Sequence, residues 1–541
     1  MMLNLIDKIG DWNPQLFREL KGRLKFSNVA IAVTVSLLLQ WVVFSSYQLH
    51  EFADDNLWQD GWEHIFLTLS VVFIFTLLVT GTYLLINDLA KEETRGTLNF
   101  IRLSPQSETS ILIGKLLGVP SLIYLPILVA VPLHLWAGLS AKIAFSYILS
   151  YYAILAASCI FFYSAALLLG LFSHSFSSVQ SLLALLGTGV VLTFLFTTMV
   201  LALSDSINLN NSTAWIRLLS LWDIINYLFP KLFHLSNISP LKNLQFFYLP
   251  LGTSLLSVVG FHLLNLGVCS YGILQVLKRC FRNPQASIIS KKQSYLLVAF
   301  SQLMIWGFTL QNGGNNYTWD RQVGENYILL ASYNFVLIFS LIAVLSPHRQ
   351  NVQDWARYRH QVVSSHKSAW HDLIWAEKSP ALVAIAINLT IATIPWLVWI
   401  SFTSVFDPNN DQTWLDNNID RFKVLLAIPL SISIMMIYAT ITQLILLLKT
   451  PKRSFWAIGT LSAAMFLPSI ILQLIDISPF KYPTVWLFST YPWIAIQYSG
   501  ATTIFMAFLA ELSVLALLNF QLTRQVRLAG ESATKALLAG R

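Results

Sequence analysis

Apolar residues in this chain come in long, nearly unbroken runs separated by short polar stretches, rather than at one face of each helix or in alternation. The runs are about twenty residues long, the length a helix needs to cross the hydrocarbon core of a bilayer. They predict about twelve spans. Six lie at 28–49, 64–87, 116–138, 145–172, 181–204 and 250–277, and six more at 295–311, 327–346, 381–406, 422–447, 455–475 and 491–520. Lipid offers the backbone no hydrogen bonds, so each run must satisfy its own as a helix. The expected fold class is therefore all-α, a polytopic membrane protein.

The stretches outside the runs differ in kind. In 1–27, Leu16, Leu20 and Leu24 recur every fourth residue with Arg18, Lys21, Arg23 and Lys25 between them. That spacing predicts an amphipathic elbow helix lying along the membrane interface. Residues 278–294 form a basic linker between the two six-span halves, 28–277 and 295–520, and 347–380 is a long basic loop in the second half. The tail 521–541 is polar and basic. The segment 205–249 is too mixed to span. Its apolar patch, from Trp215, Leu218 and Leu221 through Trp222, Ile224 and Ile225 to Leu228 and Phe229, fits two arrangements. One is an interfacial or re-entrant helix with its Trp residues at headgroup depth; the other is a small packing lid.

Composition agrees with the pattern. The 541 residues are 55% hydrophobic and only 11% charged, against roughly 25% charged in soluble domains. A net charge of +8 would suit nucleic acid in a soluble protein. Here most of the Lys and Arg gather in one set of loops, which marks the cytoplasmic side and implies no nucleic-acid partner. Acidic residues collect on the other side, at Glu51, Asp54, Asp55 and Asp60 and at Asp407, Asp411, Asp416 and Asp420. Both termini are thus expected in the cytoplasm, with membrane lipids around the spans. Residues Met1–Ser27 are polar and basic and show no signal peptide. Cys159, Cys269 and Cys280 are too scattered for a disulfide framework or a metal site.

One polar island stands out, at 88–115 between the second and third spans. Asp88, Lys91, Glu92, Glu93 and Arg95 fall within two helical turns, Gly96 interrupts the helix, and Leu98, Phe100, Ile101 and Leu103 follow before Pro105. A plain connection needs only a few turn residues. This one predicts a short helix on the cytoplasmic membrane surface. Leu98 and Ile101, three apart, share a face able to fill an apolar groove, and Glu92 and Glu93 offer charge to a basic partner.

Glu92-Glu93-Thr-Arg-Gly-Thr-Leu98, Ser104-Pro105, Ser107 and Gly114-Lys115 resemble the first cytoplasmic loop of type-2 ABC export permeases. The resemblance covers about the first 280 residues. It implies a coupling helix that docks on a separate ABC ATPase, with Glu92, Glu93, Arg95, Gly96, Thr97, Leu98, Ile101, Pro105, Gly114 and Lys115 as its coupling residues. It also implies an elbow helix before the first span, short re-entrant helices between the fifth and sixth, and an exporter in the inner (plasma) membrane of a bacterium. A second permease copy is a further expected partner. ATP and magnesium would sit on the ATPase, leaving this chain without a cofactor. The corresponding turn of the second half, Lys449–Arg453, is far too short for a coupling loop.

Chemistry of other kinds finds little support. Gly114-Lys115 lacks the upstream glycine of a nucleotide-binding loop, and Leu116 stands where Ser or Thr would hold magnesium. His348, His360, His366 and His371 are irregularly spaced and read as headgroup-facing rather than metal-binding. Inside the runs, Glu511 is the clearest polar intruder, with His134, His262, Asn265, Gln443 and Gln473 milder cases. Glu511 reads either as part of a transport path or as a hydrogen bond pinning two helices, worth about 0.6–2 kcal/mol. Gly170, Gly187, Gly189 and Gly260 read as sites of close helix packing. The expected function is the permease subunit of an ABC exporter. Its rivals are an embedded enzyme acting on a lipid-linked substrate, which needs convergent carboxylates or histidines, and a non-transporting scaffold.

Overall fold

The structure, a computed structural model, describes residues 10–51, 55–171, 180–203, 212–230, 240–283, 287–310, 316–361, 369–406, 418–450, 452–496 and 498–530. Asp54, Asp407, Asp411, Asp416, His366 and the tail beyond 530 lie outside these residues. The described chain is helical almost throughout; its strands are one short antiparallel pair, β1 (Gln245–Phe246) with β2 (Leu249–Pro250). The contacts divide it into two units, Met1–Ala286 with Phe308–Gln311, and Ser287–Gly307 with Asn312–Arg541.

In the first unit the elbow α1 (Pro14–Arg23) precedes α2 (Phe26–Glu51). The next long helix runs as α3 (Asp55–Phe75), a π-helical turn (Thr76–Thr80) and α4 (Gly81–Thr94). Two short helices, α5 (Thr97–Arg102) and α6 (Glu108–Gly118), lead to α7 (Ser121–Ser140), α8 (Phe145–Leu171) and α9 (Gln180–Leu203). Two further short helices, α10 (Ala214–Arg217) and α11 (Trp222–Leu228), precede α12 (Leu255–Arg282). The second unit contains most of α13 (Lys291–Thr309), then α14 (Asn316–Leu345), α15 (Arg349–Gln361), α16 (Ala369–Trp375), α17 (Leu382–Phe406), α18 (Asn418–Leu446), α19 (Arg453–Leu474), α20 (Pro483–Trp486), α21 (Trp493–Ile496) and α22 (Ala501–Gly530).

Among the described residues, ten helices are long and apolar enough to cross a membrane. An eleventh span results if Leu329–Leu345 and Arg349–Arg359, which meet at 66°, are taken together. The sequence reading counts twelve. The helix expected at 295–311 does form, as α13, but it carries Lys291, Lys292, Gln293 and Gln302 and is not apolar enough to count. The outward faces of the spans are rich in leucine, valine and aromatic residues: Leu38, Trp41, Val190, Phe196, Phe455 and Ile470 are all exposed. In water that would be an aggregate; in lipid it is the required surface.

Inside the bundle the spans approach through small residues. A Cβ at Gly187 would lie 2.5 Å from Leu169, and one at Gly170 would lie 3.0 Å from Leu89. Gly189 and Gly260, expected to act alike, face open space. At Gly81 a Cβ would fall 2.3 Å from the Tyr163 hydroxyl. That hydroxyl donates to the Leu77 carbonyl at 2.8 Å, within the π turn, where the widened helix interrupts its own ladder.

Within the 205–249 segment, residues 212–230 pack against the long helices. Trp215, Leu221, Trp222, Ile224, Ile225 and Phe229 are buried in the protein. Trp222 meets Phe75 with ring centres 5.8 Å apart, and Phe229 meets Phe66 at 5.0 Å. Trp215 Nε1 donates to Asn265 Oδ1 at 3.1 Å, and Asn226 to the Ala202 carbonyl at 3.0 Å. The Arg217 guanidinium grips Asp223 from two nitrogens. Phe66 and Phe75 belong to α3, so this segment packs on the part of the long helix before its π turn, away from the island.

Candidate functional site

The island is built from three helices and two breaks. α4 ends at Thr94. Gly96 follows with φ of 70°, a left-handed conformation that a side chain resists, and the chain turns sharply into α5. Ser107 then caps α6, accepting from the Ser110 amide at 3.2 Å. Glu108, in the first turn of α6, pairs with Arg282 at 3.0 Å.

At the centre is Lys115, whose side chain is wholly buried. Its Nζ lies 2.8 Å from Asp88 Oδ2, 2.7 Å from Glu92 Oε2 and 3.8 Å from Glu19 Oε1. Asp88 and Glu92 are four apart on α4 and so share a face. Arg23 pairs with Asp88 at 2.5 Å and with Glu19 at 3.2 Å, and Arg18 with Glu92 at 2.7 Å. Three carboxylates thus face three cations, which is why charge can be buried here at all. Burial alone would lower the Lys115 pKa; Asp88, Glu92 and Glu19 outweigh it, and the net shift is upward. A raised pKa gives stability that is complete below the ordinary lysine value and fades only as pH climbs through the raised one. The lysine therefore stays charged across the physiological range. Glu19, Asp88 and Glu92 also bring ligand atoms close enough together to hold a metal ion, but the ammonium of Lys115 already stands among them.

The elbow joins this cluster by a polar face. Asn13, Gln15, Leu16 and Glu19 are buried, whereas Leu24 is exposed and Leu20 half-buried. Of the leucine stripe read from the sequence, Leu16 lies in this seam and Leu24 outside it. Asn13 caps α1, accepting from the Leu16 amide at 2.9 Å, and its amide nitrogen donates to the Ser110 carbonyl of α6 at 2.8 Å. Gln15 donates to Glu19 at 2.9 Å. The two helices approach through Gly114 and Gly118: a Cβ at Gly118 would meet Glu19 Cβ at 2.6 Å, and one at Gly114 would meet Asn13 Oδ1 at 2.8 Å. The Gly-Lys pair therefore has a physical reason here, as glycine admits the elbow and lysine neutralises what it brings. Gly118→Val should displace α1 at a cost of about 1–3 kcal/mol, seen as faster tryptic cleavage at Arg18 and Arg23 in purified protein.

Leu98 and Ile101 do share a face, but it points inward. Both are buried with Leu85, Ile86, Leu89, Ile111, Leu112 and Phe281, so neither is free to fill a partner's groove. Glu92 is likewise committed to Lys115 and Arg18. Glu93 faces Arg102 at 3.7 Å, and the Arg102 guanidinium lies 5.8 Å from the Phe281 ring centre. Burial lowers the Arg102 pKa, with Glu93 opposing. What faces outward is Phe100, 77% exposed, and Leu103, 83% exposed, flanked by Lys91, Arg95, Thr97, Asn99 and Pro105. An exposed Phe–Leu pair beside cations thus lies on the outer side of a helix anchored by its other face. The sequence reading names Phe100 and Leu103 only as part of the apolar side. It gives no role at this site to Asn13, Gln15, Glu19 or Gly118. The spacing of Gly114 and Gly118, four apart on one helix, was the available signal.

Residues 23–275 match the model of a family described as ABC-2 family transporter protein. The domain over 23–275 belongs to the ABC-2 transporter family. Comparison with curated proteins and with solved structures finds no match. The ABC-2 domain starts at the last residue of the elbow and ends within α12, so it contains the whole island. The chain is accordingly a multi-pass membrane protein with an ABC transporter permease domain, and that family is one of transport subunits.

The remaining polar residues of the runs are placed individually. In the ABC-2 domain, His134 bonds Ser70 at 2.8 Å and Tyr152 at 2.6 Å and stacks on Phe66. His262 is buried, with both ring nitrogens lacking a hydrogen-bond partner among the described residues. In the second unit, Gln443 donates to the Pro347 carbonyl at 3.2 Å, Gln473 is exposed, and Glu511 is buried against Ser433. Cys159, Cys269 and Cys280 form no disulfide among the described residues. Glu377 is exposed. His348 and His371 are exposed, and the side chains of His360 and His366 lie outside the described residues.

Proposed function

We propose that the protein is the membrane subunit of an ATP-driven exporter in a bacterial inner membrane, and that a separate ABC ATPase docks on α5 and its flanks. The observation that carries this reading is how α5 is mounted. Its outer face offers Phe100 and Leu103, while its inner face, Leu98 and Ile101, is sunk into the bundle. A push on the outer pair is passed by Leu98 and Ile101 to α4 and α6, and through Lys115 to the elbow and the first span. ATPase closure would thus reach three spans through one rigid joint, an element both states can bias. ATP and magnesium belong to the ATPase in this reading, and the cargo is amphipathic or lipid-linked.

Two measurements test it. Affinity purification of the intact protein from its own membrane should bring an ABC ATPase with it; repeated recovery without one sinks the reading. The basic bias of the loops also requires α5 to face the cytoplasm. A single cysteine at exposed Asn99, in a background without the native thiols, should stay unreactive towards an impermeant thiol reagent in intact cells and react once the membrane is opened. Labelling from outside would invert the orientation and remove the ATPase contact.

A further inference from the structure

α18 and α22 of the second unit pack closely, yet a cavity of about 200 Å³ lies beside them. Its wall is formed by Ile434, Ile437, Tyr438, Phe488, Ala510 and Val514, with Glu511 as the acidic group. Glu511 is 4% exposed. Its Oε2 meets the Ser433 hydroxyl, and its Oε1 is buried without a hydrogen-bond partner. Ser433 also lies 2.8 Å from the Leu430 carbonyl, and a hydroxyl with one hydrogen cannot serve both acceptors at once. The wall's other hydroxyl, on Tyr438, is taken up by Thr490 at 2.9 Å and the Ala464 carbonyl at 3.2 Å. Helix pinning therefore uses one carboxyl oxygen and leaves the other buried and unpartnered beside an apolar cavity.

Ionised, a carboxyl group so placed would carry a charge that nothing in the wall balances, and this is costly within a membrane. A hard metal ion would not relieve it, since such ions take six or more oxygen ligands and this wall offers two or three. An organic ammonium would, because it brings charge, N–H donors and its own apolar body. The rings of Tyr438 and Phe488 add faces that attract such a cation. Ala510 and Val514 are exposed, so the cavity opens on the apolar surface, where an amphiphile dissolved in lipid would arrive. We propose that the cavity at Glu511 is a binding site for the ammonium head of an amine-bearing amphiphile, with Glu511 as counter-ion and Ser433 positioning it. This is independent of the ATPase contact.

The test is equilibrium binding of radiolabelled octylammonium to the intact, purified protein in non-ionic detergent, with octanol and octanoate as competitors of the same tail. Octylammonium should bind in saturable fashion, and neither competitor should displace it at equal concentration. Glu511→Gln, which keeps the shape and the contact to Ser433, should weaken binding by at least about tenfold. Ile437→Trp, which keeps the carboxyl and fills the cavity, should do the same, and it carries the test if Glu511→Gln does not stay monodisperse. Modification of Glu511 by dicyclohexylcarbodiimide, read by mass spectrometry, should be slowed by octylammonium and not by octanol. Undiminished binding to monodisperse Glu511→Gln, or octanol displacing the label as well as octylammonium itself does, overturns the proposal.

Discussion

Lys115→Met should strip the protein from the membrane fraction. The substitution keeps the length of the side chain and removes the charge that holds Asp88 and Glu92 within 2.8 Å of one point. Removing one partner of a buried ion pair typically costs about 3–5 kcal/mol, because the remaining charge is left uncompensated. Here several carboxylates are left at once. We expect membrane abundance to fall severalfold, and any purified remainder to melt well below the wild type. Neutralising the carboxylates along with the lysine, as Lys115→Met with Asp88→Asn and Glu92→Gln, should recover much of the loss, since a buried ion cluster replaced as a whole is often nearly neutral. A single Lys115→Met as abundant and as stable as the wild type would show that the cluster does not hold the elbow. Glu92→Lys belongs with the destabilising changes for the same reason, although its position outside the apolar runs suggests the opposite.

The second large effect is on association. Phe100→Asp with Leu103→Asp should leave abundance and melting unchanged, because both side chains are mostly exposed, and should abolish recovery of the ATPase. Central apolar anchors at interfaces are each worth about 2 kcal/mol or more, so losing two implies at least about a hundredfold weaker binding. Leu98→Asp with Ile101→Asp is the counterpart: it places two charges in the buried cluster and should lower abundance before any partner is involved. If the Phe100 and Leu103 pair of changes leaves co-purification intact while the Leu98 and Ile101 pair abolishes it in a stable protein, the outer face is not the contact.

The spans were legible because each is a local property: a run of apolar residues is long enough or it is not, and lipid enforces the helix. The island was legible as a place, since polar residues between two spans need a reason. Its inside and outside were not. α5 is apolar at Leu98 and Ile101 and again at Phe100 and Leu103, so no period in six residues says which pair is buried. The elbow was legible as an amphipathic helix, but its seam with α6 was not. That seam is Leu16 with Asn13, Gln15 and Glu19, polar residues that are buried because α6 supplies Lys115, two glycines and the Ser110 carbonyl. Such a contact is set by a partner far along the chain, and nothing adjacent announces it. Glu511 was legible as unusual, but the cavity beside it depends on the shapes of two helices.

The seam between elbow and α6 also sets an order on biogenesis. Asn13 and its acceptor at Ser110 are 97 positions apart, and Lys115 follows later still. At a synthesis rate of about 5–20 residues per second, the elbow is made about 5–20 s before the groove it enters. During that interval two spans are delivered to the bilayer while Glu19 has no lysine and Asn13 no carbonyl. The elbow must wait in water or at the headgroups, where its basic residues and half-exposed leucines are well suited to hold it. Docking can follow only once α6 has emerged, which makes closure of this joint a timed event in the making of the protein.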